Sequence, residues 1–151
     1  MSSDGITWTN ETPASNMFVK RAFHNAVVFN NQICLLGGDE TGNRSDAIWV
    51  SDDGISWTEV IPETDHFWGV AGPGVAIFKG RIWYIGGYAG INGMRGEVWS
   101  SEDVNRWTWE TPHAMYSPLR FEHRAVTFNN KLYIIAGQSG GTNYNDIWYF
   151  E

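Results

Sequence analysis

Two Arg-x-x-His segments, Arg21 with His24 and Arg120 with His123, carry the sharpest polar signal in this sequence. A guanidinium presents a planar fork of donors that matches a carboxylate, a phosphate or a sugar acid through charge-assisted bonds. Arg44 and Arg95 sit in polar, Gly-rich loops that would rim the same face. Trp68, Tyr88, Tyr116 and Tyr144 stand in neighbouring loops with Phe18, Phe67, Asn92 and Asn143. Aromatic rings mixed with Arg and Asn suit sugar or peptide recognition, by stacking plus directed hydrogen bonds. The expected ligand-binding set is therefore Arg21, His24, Arg44, Trp68, Tyr88, Arg95, Tyr116, Arg120, His123 and Tyr144. The bland alternative is that the Arg and His side chains hydrogen-bond the backbone of neighbouring units as a packing feature.

Other chemistries find less support. The four histidines, His24, His66, His113 and His123, lack close metal-ligand spacing, so neither metal nor cofactor is expected. The glycine pairs follow strands with no helix after them, which is not a phosphate-binding loop. A formal charge of −7 without a basic run argues against a nucleic-acid partner. No apolar run approaches membrane-spanning length, and MSSDGITW has neither the basic start nor the apolar stretch of a leader. The single cysteine, Cys34, lies inside an apolar run and reads as a small buried hydrophobe. These features make the cytoplasm the expected compartment. The sequons at Asn10 and Asn43 would matter only in a secreted chain.

The elements that must position these residues come in copies. HNAVVFNNQICLLGG (24–38) returns as GVAIFKGRIWYIGG (74–87) and HRAVTFNNKLYIIAG (123–137). Each is two apolar strand-length runs about a hairpin turn, closed by small residues. Trp8, Trp57 and Trp107 follow Asp-led turns at spacings of 49 and 50, and Trp49, Trp99 and Trp148 repeat at 50 and 49. Pro13, Pro62 and Pro112 mark the exit from the first set. In the middle copy, Ala71 and Gly74 take the places of the Arg and the His. A unit of four short strands over about 50 residues indicates propeller blades.

The glycine pair after an apolar strand, the Trp on the third strand and the Trp on the fourth together resemble the kelch-repeat family, especially bacterial kelch repeats and those of galactose-oxidase central domains. The resemblance implies an all-β, kelch-like β-propeller in which 1–151 is one domain of three four-stranded blades, about 4–52, 53–102 and 103–151. The strands are expected at 24–29 (inner), 33–36, 47–50 and 55–59 (outer). The chain then opens on an outer strand, 5–10, and ends on a third strand, 146–150. The Ser-x-Asp-Gly-x-x-Trp turns look like sialidase Asp-boxes, which are structural. The sialidase Arg triad and Tyr-Glu pair have no motif here, and the copper chemistry of galactose oxidase finds no ligand set.

Three blades are too few to close a ring. The expected solution is a homodimer of six blades, the N-terminal strand of each chain completing the last blade of the other. The functional expectation is a non-enzymatic binding or scaffold module with a carbohydrate, small-anion or protein ligand. The alternatives are a carbohydrate-active enzyme of sugar-acid epimerase or hydrolase type, using Arg21, Arg120, Asp39, Glu40 and Glu122, or an engineered or excised half-propeller with no selected ligand.

Overall fold

The computed structural model describes residues 4–12, 17–111 and 116–151. Among these the chain is all-β, with four small antiparallel sheets and one short 3-10 turn at Gly90–Asn92. This architecture fits a β-propeller-like fold. The first sheet is β1 (Asn25–Phe29), β2 (Gln32–Glu40), β3 (Asn43–Ser51) and β4 (Thr58–Val60), in that order. The second repeats the order with β5 (Gly74–Phe78), β6 (Arg81–Tyr88), β7 (Met94–Ser101) and β8 (Trp107–Thr111). The third contains β9 (Arg124–Phe128), β10 (Lys131–Ile135) and β13 (Ile147–Phe150). Beside it lies a two-residue ladder of β11 (Gln138–Ser139) and β12 (Thr142–Asn143).

The inner hairpins turn as their sequences require. Asn30-Asn31, Lys79-Gly80 and Asn129-Asn130 all take positive φ at both central positions. That is the geometry matching the right-handed twist of the flanking strands, and Asn and Gly adopt it at least cost. The Asp-led turns are also local structures. Asp53 Oδ1 accepts the N–H groups of Ile55 and Ser56, both at 2.7 Å, and Asp4 and Asp103 repeat the pattern. These bonds hold the Asp53 carboxyl down at about 2. The aspartates are thus structural.

Several boundaries differ from the sequence expectation. The glycine pairs do not end the second strands. β2 and β6 run through them, with a register shift at Leu36–Gly38 and at Ile85–Gly87. A bulge absorbs the pair and lets the ladder continue. The outer strand β4 starts at Thr58, because the Asp53 turn occupies the residues before it. Residues 5–10 form no strand, although the Asp4 turn is in place. A ladder needs an adjacent edge, and these residues lie ahead of the first sheet.

The sheets are aligned by three bridges, Ala22–Asp39, Ala71–Tyr88 and Phe121–Gln138. They make Val70 the counterpart of Arg21 and Arg120, and Pro73 that of His24 and His123. The expected Ala71 and Gly74 are each one residue too late, because the bridge before the strand, not the glycine, sets the register. Just before the inner strands, the Gly72 N–H donates to the Phe23 carbonyl at 2.9 Å and the Glu122 N–H to the Gly72 carbonyl at 2.8 Å. These three residues share φ between 56 and 61°. At this position a backbone hydrogen bond steps from each sheet to the next.

The core lies between successive sheets. Phe67 stacks on Tyr84 at 3.7 Å and meets Trp107 edge-on at 4.9 Å. The middle inner strand β5 is buried apart from Ile77, which is half-buried, so a strand apolar on both faces is covered on both. β1 and β9 have the same apolar composition but belong to end sheets. Val28 is 70% exposed and Phe128 63%, because each faces a side with no neighbouring sheet.

Candidate functional site

The bridges described above carry the loop before each inner strand onto the end of its own second strand. The loop around Gly69 also packs on the preceding sheet, where a Cβ at Gly69 would come within 2.2 Å of the Arg44 carbonyl. The loops thus bring Arg44 to Tyr88 and Arg95 to Trp68, and these contacts define the loop face.

Arg21 and Arg120 lie beneath. Arg120 is fully buried; its guanidinium donates to the Ala136 carbonyl at 3.1 Å, to Pro118 at 3.1 Å and in bidentate fashion to Asp146. It lies between the rings of Tyr144, at 4.6 Å, and Tyr116, at 5.4 Å. Arg21 does the equivalent in the first sheet, bonding the Gly37 carbonyl at 2.9 Å and pairing with Glu40 at 2.5 Å. Each guanidinium ties its loop to a carbonyl at the small-residue pair of its own second strand, Gly37 in the first sheet and Ala136 just past the strand in the third.

Arg44 and Arg95 reach the surface. Arg44 pairs with Asp39 and lies over Tyr88 at 5.3 Å, and Tyr88 lies 5.3 Å from Phe121. Arg95 pairs with Glu97 at 3.3 Å and lies 5.7 Å from the ring of Trp68, which is 59% exposed. Cation–π stacking orients each guanidinium while the carboxylate balances its charge. The face therefore offers paired donors and acceptors beside flat rings rather than a ring of free cations.

The two histidines differ. His123 is fully buried against Gly74, where a Cβ would approach its Nε2 to 2.5 Å. Burial first, then the charges of Arg120 and Arg124, lower its pKa to about 4, so the ring is neutral at pH 7. His24 is exposed and lines a cavity of about 440 Å³ at the inner edge, with Asn25, Gly72, Glu122 and Arg124. Cys34 is 1% exposed and burial raises its thiol to about 11, so it is an inert core group. Among the described residues, no three His, Cys, Asp or Glu side chains converge as a metal site needs.

Sequence reasoning missed Asp146, Glu97 and Phe121. A signal for the first two existed: each stands two residues before the third-strand Trp, in Asp-Ile-Trp and Glu-Val-Trp. The aromatic Phe121 sits beside Arg120, but only the bridge to Gln138 turns it toward Tyr88.

Arg120, His123, Asp146 and the hairpin between β9 and β10 all fall in residues 119–151, the segment that matches the Kelch motif family. The chain carries a Kelch motif. No curated protein matches the chain closely enough to count as a relative. Within the kelch segment, the buried Arg120–Asp146 pair and the packed His123 join the loop, the second strand and the third strand into one unit.

Proposed function

We propose that the chain is a non-enzymatic binding module whose loop face takes a carbohydrate, and that two copies close into a six-sheet ring by exchanging their N-terminal strands. The observation that carries the binding reading is the pair of surface stacks, Arg44 on Tyr88 and Arg95 beside the exposed Trp68, each with its own carboxylate. A sugar ring stacks on such a platform, and its hydroxyls take up the donors and acceptors at the edge. Charge balance within each stack favours a polyol over a bare anion. The kelch motif and the all-β sheets fit a propeller binding or scaffold module, in which loops on a rigid framework do the recognition.

The test is a glycan array with neutral and acidic arms, followed by titration of the strongest hit. Trp68→Ala and Arg95→Ala should each weaken binding about tenfold or more while leaving the melting curve unchanged. Binding indifferent to both substitutions, or no glycan bound, would overturn the reading. Capture of peptides alone would move the ligand class to protein.

A further inference from the structure

A cavity of about 340 Å³ lies between the second and third sheets, and its walls are almost wholly apolar. Its counterpart between the first and second sheets is filled. There Cys34, Leu36, Ile48, Phe67, Tyr84 and Trp99 form one buried cluster with Trp107. The strand registers place Leu35, Tyr84 and Ile134 opposite Trp49, Trp99 and Trp148. Carried through that register, the five strand residues of the cluster become Trp83, Ile85, Val98, Ile134 and Trp148, and the loop residue Phe67 is matched by the loop residue Tyr116. All six line the cavity. Among the described residues, none takes the place in this cavity that Trp107 has in the filled cluster.

The other outer-strand tryptophans also meet a loop aromatic edge-on. Trp57 meets Phe18 at 5.0 Å and Trp107 meets Phe67 at 4.9 Å. Tyr116 is the third member of the loop series, 49 residues after Phe67 as Phe67 is after Phe18. It is buried at the cavity wall. Trp8 is the remaining member of the tryptophan series, and it is 75% exposed. Its turn is already formed as in the filled sites, and its indole N–H donates to the Gly5 carbonyl as that of Trp107 does to Val104. β13 pairs with β10 on one side, so its other edge is open to a strand.

We infer that this cavity is a binding site for an indole borne on a β-strand, and that its occupant is Trp8 of a second copy of this chain. Residues 4–12 add to the open edge of β13 as the fourth strand, and the indole enters edge-on to Tyr116. Residues 4–12 of the same chain do not line the cavity. Each outer strand leads through a loop to the inner strand of the next sheet, so residues 4–12 belong beside the first sheet, on the side away from the second. The inference rests on the six-sheet closure proposed above and gives it a specific anchor.

The test uses the full chain. Sedimentation velocity gives the subunit number; Trp8→Ala should raise the dimer dissociation constant about 30-fold or more, and Trp8→Phe should restore part of the loss. In parallel, the chain carrying p-benzoylphenylalanine in place of Trp8 is irradiated after mixing with isotopically labelled chain. Cross-links are expected between chains, at 110–111, 116 or 148–150. A monomer at all concentrations would overturn the closure and the inference together. A dimer whose cross-links fall elsewhere, or whose affinity ignores Trp8→Ala, would overturn the indole site and leave the closure standing.

Discussion

His123 and Arg120 show how two polar side chains at one strand start act in opposite ways. The unfolded chain protonates His123 near the ordinary 6.5, whereas the fold keeps it neutral down to about 4. Between those values the unfolded state binds the extra proton, so stability rises with pH there. Its contribution is complete above 6.5 and is lost as pH falls toward 4, by about 3 kcal/mol in all. Urea titrations at a series of pH values should show this slope, and His123→Leu should flatten it. Arg120 has its donors satisfied within the fold. Arg120→Ala removes a buried fork that satisfies three carbonyls and Asp146, and should cost about 3 kcal/mol. Arg120→Lys should recover little of it, since an ammonium cannot reproduce the planar bidentate geometry. Denaturant midpoints decide both.

The bulged second strand is the element that ties sheet to sheet. Gly37 has φ 62°, and a Cβ there would come within 2.7 Å of the Tyr84 hydroxyl of the next sheet. Gly86 has φ 57° and faces the Tyr116 hydroxyl in the same way, at 2.6 Å. Gly86→Ala combines left-handed strain with this clash and should lower stability by about 1–3 kcal/mol, read as a fall in melting temperature. Ala136 holds the equivalent position with φ 57°, at the end of the last sheet, where no following sheet crowds its methyl group. Strand order and hairpin turns were legible in the sequence because Asn-Asn, Lys-Gly and the tryptophans repeat with the fold. The bulge was not legible, since a glycine pair reads equally as a strand end. Nor was the middle register, where Val70 and Pro73 bear no chemical likeness to Arg and His. At the candidate site the residue types were visible but their pairings were not: Arg21 with Glu40 and Arg44 with Asp39 depend on which hairpin edge each loop bridges.

At the scale of the molecule, three sheets leave two unlike apolar ends. Val28 is exposed on the first sheet, and Phe128, Ile147 and Tyr149 on the third. Surfaces of this kind on an isolated chain invite association. The proposed closure predicts a single species of twice 17.1 kDa, about 34 kDa, by light scattering across a wide concentration range. Deletion of residues 1–12 should convert it to monomer and aggregate, with the open edge of β13 left unpaired.

The hydrogen bonds that step from Phe23 to Gly72 to Glu122 all run in one direction, with each later residue donating to the one before. This series is therefore polar in the sense that a filament is polar: each sheet donates to the one before it. In the closure proposed above, copies join head to tail. What decides whether such a series stops at two or grows without limit is then the rotation between neighbouring sheets, not the strength of any contact. A substitution between two sheets, remote from both ends, could turn a closed particle into a fibre by changing that angle.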